Sequence, residues 1–148
     1  MRHLATILLC AIAFLPWNRA TADDYLASSP EKQFLSAITN AVATQNTAWL
    51  AEHMVYPVSV VVSNGTQMVK TPDALAKILD QKLTAEIRAK ILKAAGEPLF
   101  KNWRGIMAGD GILWFSEVQA DEHTPGKFGI LAIGKIAFQP EQRATEGP

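Results

Sequence analysis

Two glycine turns punctuate the chain, Asn64-Gly65 and Asp110-Gly111, and each is flanked by apolar sequence. A two-residue hairpin turn of the primed type needs positive φ at both central positions, so such dipeptides specify both a hairpin and its register. Before the first turn, Val58, Val60 and Val62 alternate with Ser59, Val61 and Ser63, and Thr66 to Val69 forms the return strand. Around the second, Leu99 to Ala108 and Gly111 to Gln119 read as long strands, with Lys127 to Phe138 as the last. The turn places Met107 opposite Trp114, Gly105 opposite Ser116 and Arg104 opposite Glu117. One face then carries Trp103, Met107, Trp114 and Val118, and the other carries Ile106, Leu113 and Phe115 with the Arg104–Glu117 pair. Both faces are largely apolar, which leaves open which of them points inward.

Helices are signalled by capping chemistry. Ser29-Pro30-Glu31 and Thr71-Pro72-Asp73 each join a hydroxyl that accepts from an orphan amide, a proline preset for the first turn and an acid favoured by the helix dipole. Phe34, Leu35, Ile38, Ala41 and Val42 make an apolar stripe on a helix ending near Thr44. Asn46 or Thr47 caps a short helix through Trp49 and His53, which stops before Tyr56-Pro57. Leu75, Ile78, Leu79 and Leu83 give a third helix its apolar face, and Thr84 caps a fourth that ends near Gly96. The fold class expected is α+β.

Ahead of this domain, Met1-Arg2-His3 is basic and Leu4 to Trp17 is almost unbroken apolar sequence. That run falls short of the roughly 20 residues a membrane span needs, and Ala20-Thr21-Ala22 supplies the small-x-small site of signal peptidase. The expected division is a signal peptide at 1–22, a domain at 23–138 and a disordered polar tail at 139–148, with the product periplasmic or secreted and free of the membrane. Cys10 leaves with the leader, so no thiol or disulfide remains. Arg2 and Arg19 leave too, so 14 basic residues become 12 against 14 acidic ones. This balance, about −2 with no basic run, argues against nucleic acid as a partner.

The order of helix, short helix, hairpin, one or two helices and three long strands resembles the nuclear-transport-factor-2-like superfamily, which includes ketosteroid isomerase and scytalone dehydratase. The resemblance is carried by Tyr56-Pro57, by Thr71-Pro72-Asp73-Ala74-Leu75, and by Leu99-Phe100-Lys101-Asn102-Trp103-Arg104-Gly105 leading to Gly111-Ile112-Leu113-Trp114-Phe115. It implies a strongly bent antiparallel sheet wrapped around helices as a cone with an apolar pocket, and dimerisation through the outer sheet face. Enzymes of that superfamily place an acid or base beside oxyanion donors in the pocket. No motif here receives those residues one by one, and fold alone does not deliver activity.

Two readings of function follow. One is an exported domain that binds a small apolar ligand in the cone, lined by Trp49, Tyr56, Trp103, Arg104 and Trp114, or that binds protein. The other is an isomerase, dehydratase or hydrolase with His53 or Glu117 as base and Tyr56 or Arg104 as electrophilic partner. Each residue also has a plainer role: His53 at a helix end, Tyr56 in the core, Arg104 and Glu117 as a cross-strand pair worth about 0.2–1 kcal/mol. Gly105 facing Ser116 hints at space for a ligand. A purely structural module would instead use surface residues such as Leu113 and Phe115. With no phosphate cradle, nucleophile elbow or spaced histidine pair, no cofactor or metal is expected, and His123 with Asp121 and Glu122 reads as a solvated loop.

Overall fold

The structure is a computed structural model that describes residues 25–119 and 123–139. The expected leader at 1–22, the tail beyond Gln139, and Asp121 and Glu122 lie outside the described residues.

Among the described residues four helices form where the capping signals place them: α1 (Ser29–Ala43), α2 (Thr47–Glu52), α3 (Pro72–Lys82) and α4 (Ala85–Ala95). The cap of α1 is Ser28, one residue before the expected Ser29, and its N–H donates to the Glu31 carboxylate at 2.6 Å. Asn46 accepts from the Trp49 N–H at 3.1 Å and Thr84 from the Ile87 N–H at 3.3 Å, each satisfying an amide that its helix leaves unpaired.

Seven antiparallel strands follow: β1 (Val58–Val62), β2 (Gly65–Val69), β3 (Phe100–Asn102), β4 (Gly105–Ala108), β5 (Leu113–Val118), β6 (Lys127–Ile133) and β7 (Ile136–Phe138). They make one sheet in the order β2-β1-β7-β6-β5-β4-β3. At Asp110 and Gly111 φ is 46° and 88°, the positive pair that a primed turn demands, and Met107 pairs with Trp114 as that turn dictates. The first hairpin turns one residue earlier than expected, on Ser63-Asn64, with Val62 opposite Gly65. Two stretches that read as single strands are in fact hairpins. Leu99–Ala108 breaks at Trp103-Arg104 into β3 and β4, and Lys127–Phe138 breaks at Gly134-Lys135 into β6 and β7.

Residues paired directly across strands project to the same face, so the registers trace each face without ambiguity. The row Ala108, Leu113, Ile133, Ile136 and Val60 runs across five strands and is buried throughout. Together with Phe115, Ile106 and Ile130 it joins one core with Ile38 of α1, Leu50 of α2, Leu75 and Leu79 of α3 and Ile91 of α4. The opposite face carries a row that crosses all seven strands: Phe100, Met107, Trp114, Ala132, Ala137, Ser59 and Met68. Every member of this row keeps some exposure, and Phe100 and Met68 at its ends are 46% and 44% exposed. Leu113 and Phe115, proposed from sequence as surface residues, are completely buried.

This geometry corrects the expected cone. The sheet is open and flat, with β2 and β3 as its two edges. Strong curvature needs bulges or kinks at several positions. Here the ladders between the described strands show one register shift, between Trp114 and Phe115. The α+β class stands, but the conical architecture of the nuclear-transport-factor-2-like superfamily does not.

One buried charge fastens the N-terminal segment to the far edge of the sheet. Glu31 is 6% exposed and accepts hydrogen bonds from Tyr25 Oη at 2.5 Å, the Ser28 N–H at 2.6 Å and Lys101 Nζ at 2.8 Å. Tyr25 also bridges Leu99, just before β3. Burial works against the charged form of Glu31, yet the donors from Lys101, Tyr25 and Ser28 together overcome it and hold the carboxyl at about 2 instead of its ordinary 4.5. A depressed carboxyl stabilises the fold above its unfolded pKa, and that contribution is lost as pH falls from about 4.5 towards 2.

Two outcomes are expected. In urea titrations across pH 2 to 7, Glu31→Gln lowers stability at neutral pH by about 1–3 kcal/mol and flattens the loss between pH 4.5 and 2; an unchanged acid limb would show that Glu31 is not the titrating group. Phe115→Ala costs about 3–5 kcal/mol in the same assay, whereas Trp114→Ala, its neighbour on the uncovered face, costs less than half as much.

Candidate functional site

The residues singled out from sequence fall into two groups on opposite sides of the sheet. Trp49 and His53 lie one helical turn apart along α2 and its C-cap, so their rings share a side of the helix and stack at 3.8 Å with 19° between planes. Phe34 of α1 reaches both, with ring centroids 6.1 Å from each, and also meets Phe115 at 5.8 Å and Phe128 at 5.4 Å. An apolar pocket was expected beside Trp49 and His53; Phe34 instead packs its ring among theirs as part of the core. The conical pocket is therefore absent both as a shape of the sheet and as a space between these side chains.

The candidate acid–base groups are engaged structurally. His53 Nδ1 lies 2.8 Å from the Trp49 carbonyl oxygen. A carbonyl only accepts, so Nδ1 carries the proton and the ring is held by its own helix. Tyr56 Oη donates to the Ala51 carbonyl at 2.6 Å, and burial pushes the phenol up to about 12. Its proton is committed to the backbone, not presented to an oxyanion.

The expected Arg104–Glu117 pair does not form. Because the chain turns at Trp103-Arg104, Arg104 leaves the ladder and sets its guanidinium 4.8 Å from the centre of the Trp103 ring. Glu117 packs against Gly126, where a Cβ would lie 2.3 Å from Glu117 Oε1. Gly105 does face Ser116, but there is no space between them: a Cβ at Gly105 would meet the Phe115 carbonyl at 2.6 Å and Ser116 Cβ at 2.9 Å. Close backbone approach, not a cavity, explains that glycine. Among the described residues no cluster of three or more histidine, cysteine or acidic side chains is placed to hold a metal ion, and no helix is long and apolar enough to cross a membrane.

The second group, Trp103, Arg104 and Trp114, is brought together on the uncovered face. A shallow groove of about 690 Å³ runs there, lined also by Val118, Leu131 and Ala132. Trp103, at the tip of the β3–β4 turn, is 85% exposed. Sequence reading found the two tryptophans but missed Phe100, Leu131, Ala137 and Met68, which extend the same surface. Their signal is period-two alternation, which around Phe100 was hidden because Trp103-Arg104 lacks the glycine, asparagine or proline that marks a turn, and around Leu131 and Ala137 because the break at Gly134-Lys135 falls inside an apolar run.

Comparison with known proteins gives this chain no relatives: no family model, no curated protein and no solved structure matches it, so the resemblance to the nuclear-transport-factor-2-like superfamily has no support beyond element order.

Proposed function

We propose that the protein is an exported interaction module that pairs with a second copy of itself through the outer face of its sheet. The observation that carries this reading is the uncharged row from Phe100 through Met107, Trp114, Ala132, Ala137 and Ser59 to Met68, on a face that no layer of the described residues covers. An antiparallel sheet commonly leaves one face to water, but that face is then polar, alternating with the buried one. Here the outward positions are mostly apolar.

A second copy fits this surface for a physical reason. In a two-fold contact the same patch meets itself, so a face rich in charges of one sign repels its copy, while a flat and mostly apolar one is self-complementary. Two such sheets stack about 10 Å apart with their side chains interleaved. Seven strands spaced about 4.8 Å apart give a face roughly 29 Å wide. With strands averaging about five residues, or about 16 Å, its projected area is on the order of 450 Å², and the Trp103-Arg104 turn adds to it. That plane alone is more than half of the roughly 800 Å² per partner of a standard interface. Trp103 and Trp114 are the residue type that dominates binding energy in such contacts.

Export rests on the basic start, the apolar run from Leu4 to Trp17 and the Ala20-Thr21-Ala22 site. The intact mass of protein recovered from the periplasm or medium is expected to correspond to a chain beginning at Asp23; a mass that retains the leader would refute cleavage. Sedimentation equilibrium of the purified protein is expected to show a dimer with micromolar or tighter affinity. Trp103→Ala weakens it by tenfold or more, about 1.4 kcal/mol or more, without loss of folding, and Met107→Lys leaves monomer. A wild-type protein that stays monomeric at about 100 μM sinks the proposal.

A further inference from the structure

At one end of the sheet the β6–β7 turn meets the junction between α3 and α4, and the layers there do not close completely. A notch of about 230 Å³ remains between the inner face and the helices. Its apolar lining includes Val60, Ile133, Ile136 and Leu83, each at most 4% exposed, with Ile87 of α4 beside them. Two cations also line it, Lys82 at the end of α3 and Lys135 in the β6–β7 turn, and no acidic residue does. Both lysines are exposed, and among the described residues neither has an acidic partner; the lysines of α4, by contrast, pair as Lys90–Glu86 and Lys93–Glu97.

We infer that this notch binds a short-chain carboxylate amphiphile, its acyl chain on Val60, Ile133 and Leu83 and its carboxylate between Lys82 and Lys135. The chemistry of the lining selects this class. Val60, Ile133, Ile136, Leu83 and Ile87 offer no side-chain hydrogen-bond donor or acceptor, which disfavours sugars and nucleosides. The volume lies below the roughly 300–1,000 Å³ of sites for drug-sized ligands, so a single short chain suits it better than a fused-ring molecule. Two ammonium groups without a carboxylate partner favour an anionic head over a neutral one. Gly134, with φ at 61°, belongs to the same lining, and a Cβ there would press on Ile87 Cγ2 at 3.3 Å, so glycine keeps this wall open. The inference goes beyond the self-association proposed above and does not depend on it.

Sodium octanoate added to the purified, isotope-labelled protein, with 1-octanol as the uncharged control, tests the site by NMR. Saturable shifts of the Val62, Ile87 and Gly134 amides are expected below the micelle concentration. Lys82→Met combined with Lys135→Met should weaken octanoate about fivefold or more and leave octanol unchanged. Both lysines are exposed, so the double variant should keep the wild-type spectrum in the absence of ligand. The inference is overturned if no saturable shifts appear, if they centre on the Trp103 and Trp114 indoles, or if the double variant binds octanoate as the wild type does.

Discussion

Burial of one face of the sheet is the constraint on which the rest of this structure depends. Leu113 and Phe115 point inward and Trp114 outward only because Asp110-Gly111 forms a two-residue turn with both φ angles positive. A slip of one residue in that hairpin would exchange the faces, bring Trp114 under the helices and expose Phe115. Phe115 meets Phe34 of α1, and through Phe34 the sheet is packed against Trp49 and His53 of the second helix region. The same register therefore fills the space beneath the helices and leaves the tryptophan side uncovered among the described residues.

Local chemistry made much of this legible in the sequence. The helix starts at Ser29, Pro72 and Ala85, the β-branched strand from Val58, and the pairing of Met107 with Trp114 all depend on interactions spanning a few residues. What escaped was set by distant contacts or by turns inside apolar runs that read as continuous strands. Glu31 reads as a residue favoured by the helix dipole, yet its main partner is Lys101, 70 positions away. The breaks at Trp103-Arg104 and Gly134-Lys135 turned two expected long strands into hairpins and moved Arg104 out of register with Glu117. Resemblance by element order failed for a related reason. Order is encoded in helix caps and apolar periodicity, whereas curvature is decided by where bulges fall, and element order says nothing about that.

The candidate catalytic groups show why a residue type in a suggestive neighbourhood is weak evidence. A histidine between aromatic residues reads as a base in a pocket, but the spacing that brings His53 under Trp49 is the spacing of one helical turn, and it also puts the ring nitrogen on the helix's own carbonyl. Tyr56 has the same fate through Ala51. Desolvation then moves its phenol away from neutral pH, the opposite of what acid–base work at pH 7 requires.

The two surfaces proposed here lie on opposite sides of the same strands. In β6, Ala132 belongs to the outer row and its neighbour Ile133 lines the notch; in β7, Ala137 and Ile136 divide in the same way. Alternation along a strand guarantees this separation, so a carboxylate held by Lys82 and Lys135 would not compete for space with a second copy stacked on Trp114. Any coupling between them would have to pass through the backbone of β6 and β7. Both strands are pinned there by the buried pair Ile133 and Ile136 and by the Gly134 N–H, which donates to Ile112 at 2.8 Å. A ligand bearing on Ile133 therefore pushes against backbone that is fastened on both sides. Occupancy of the notch should raise stability through mass action while leaving the outer face, and with it the dimer, unchanged.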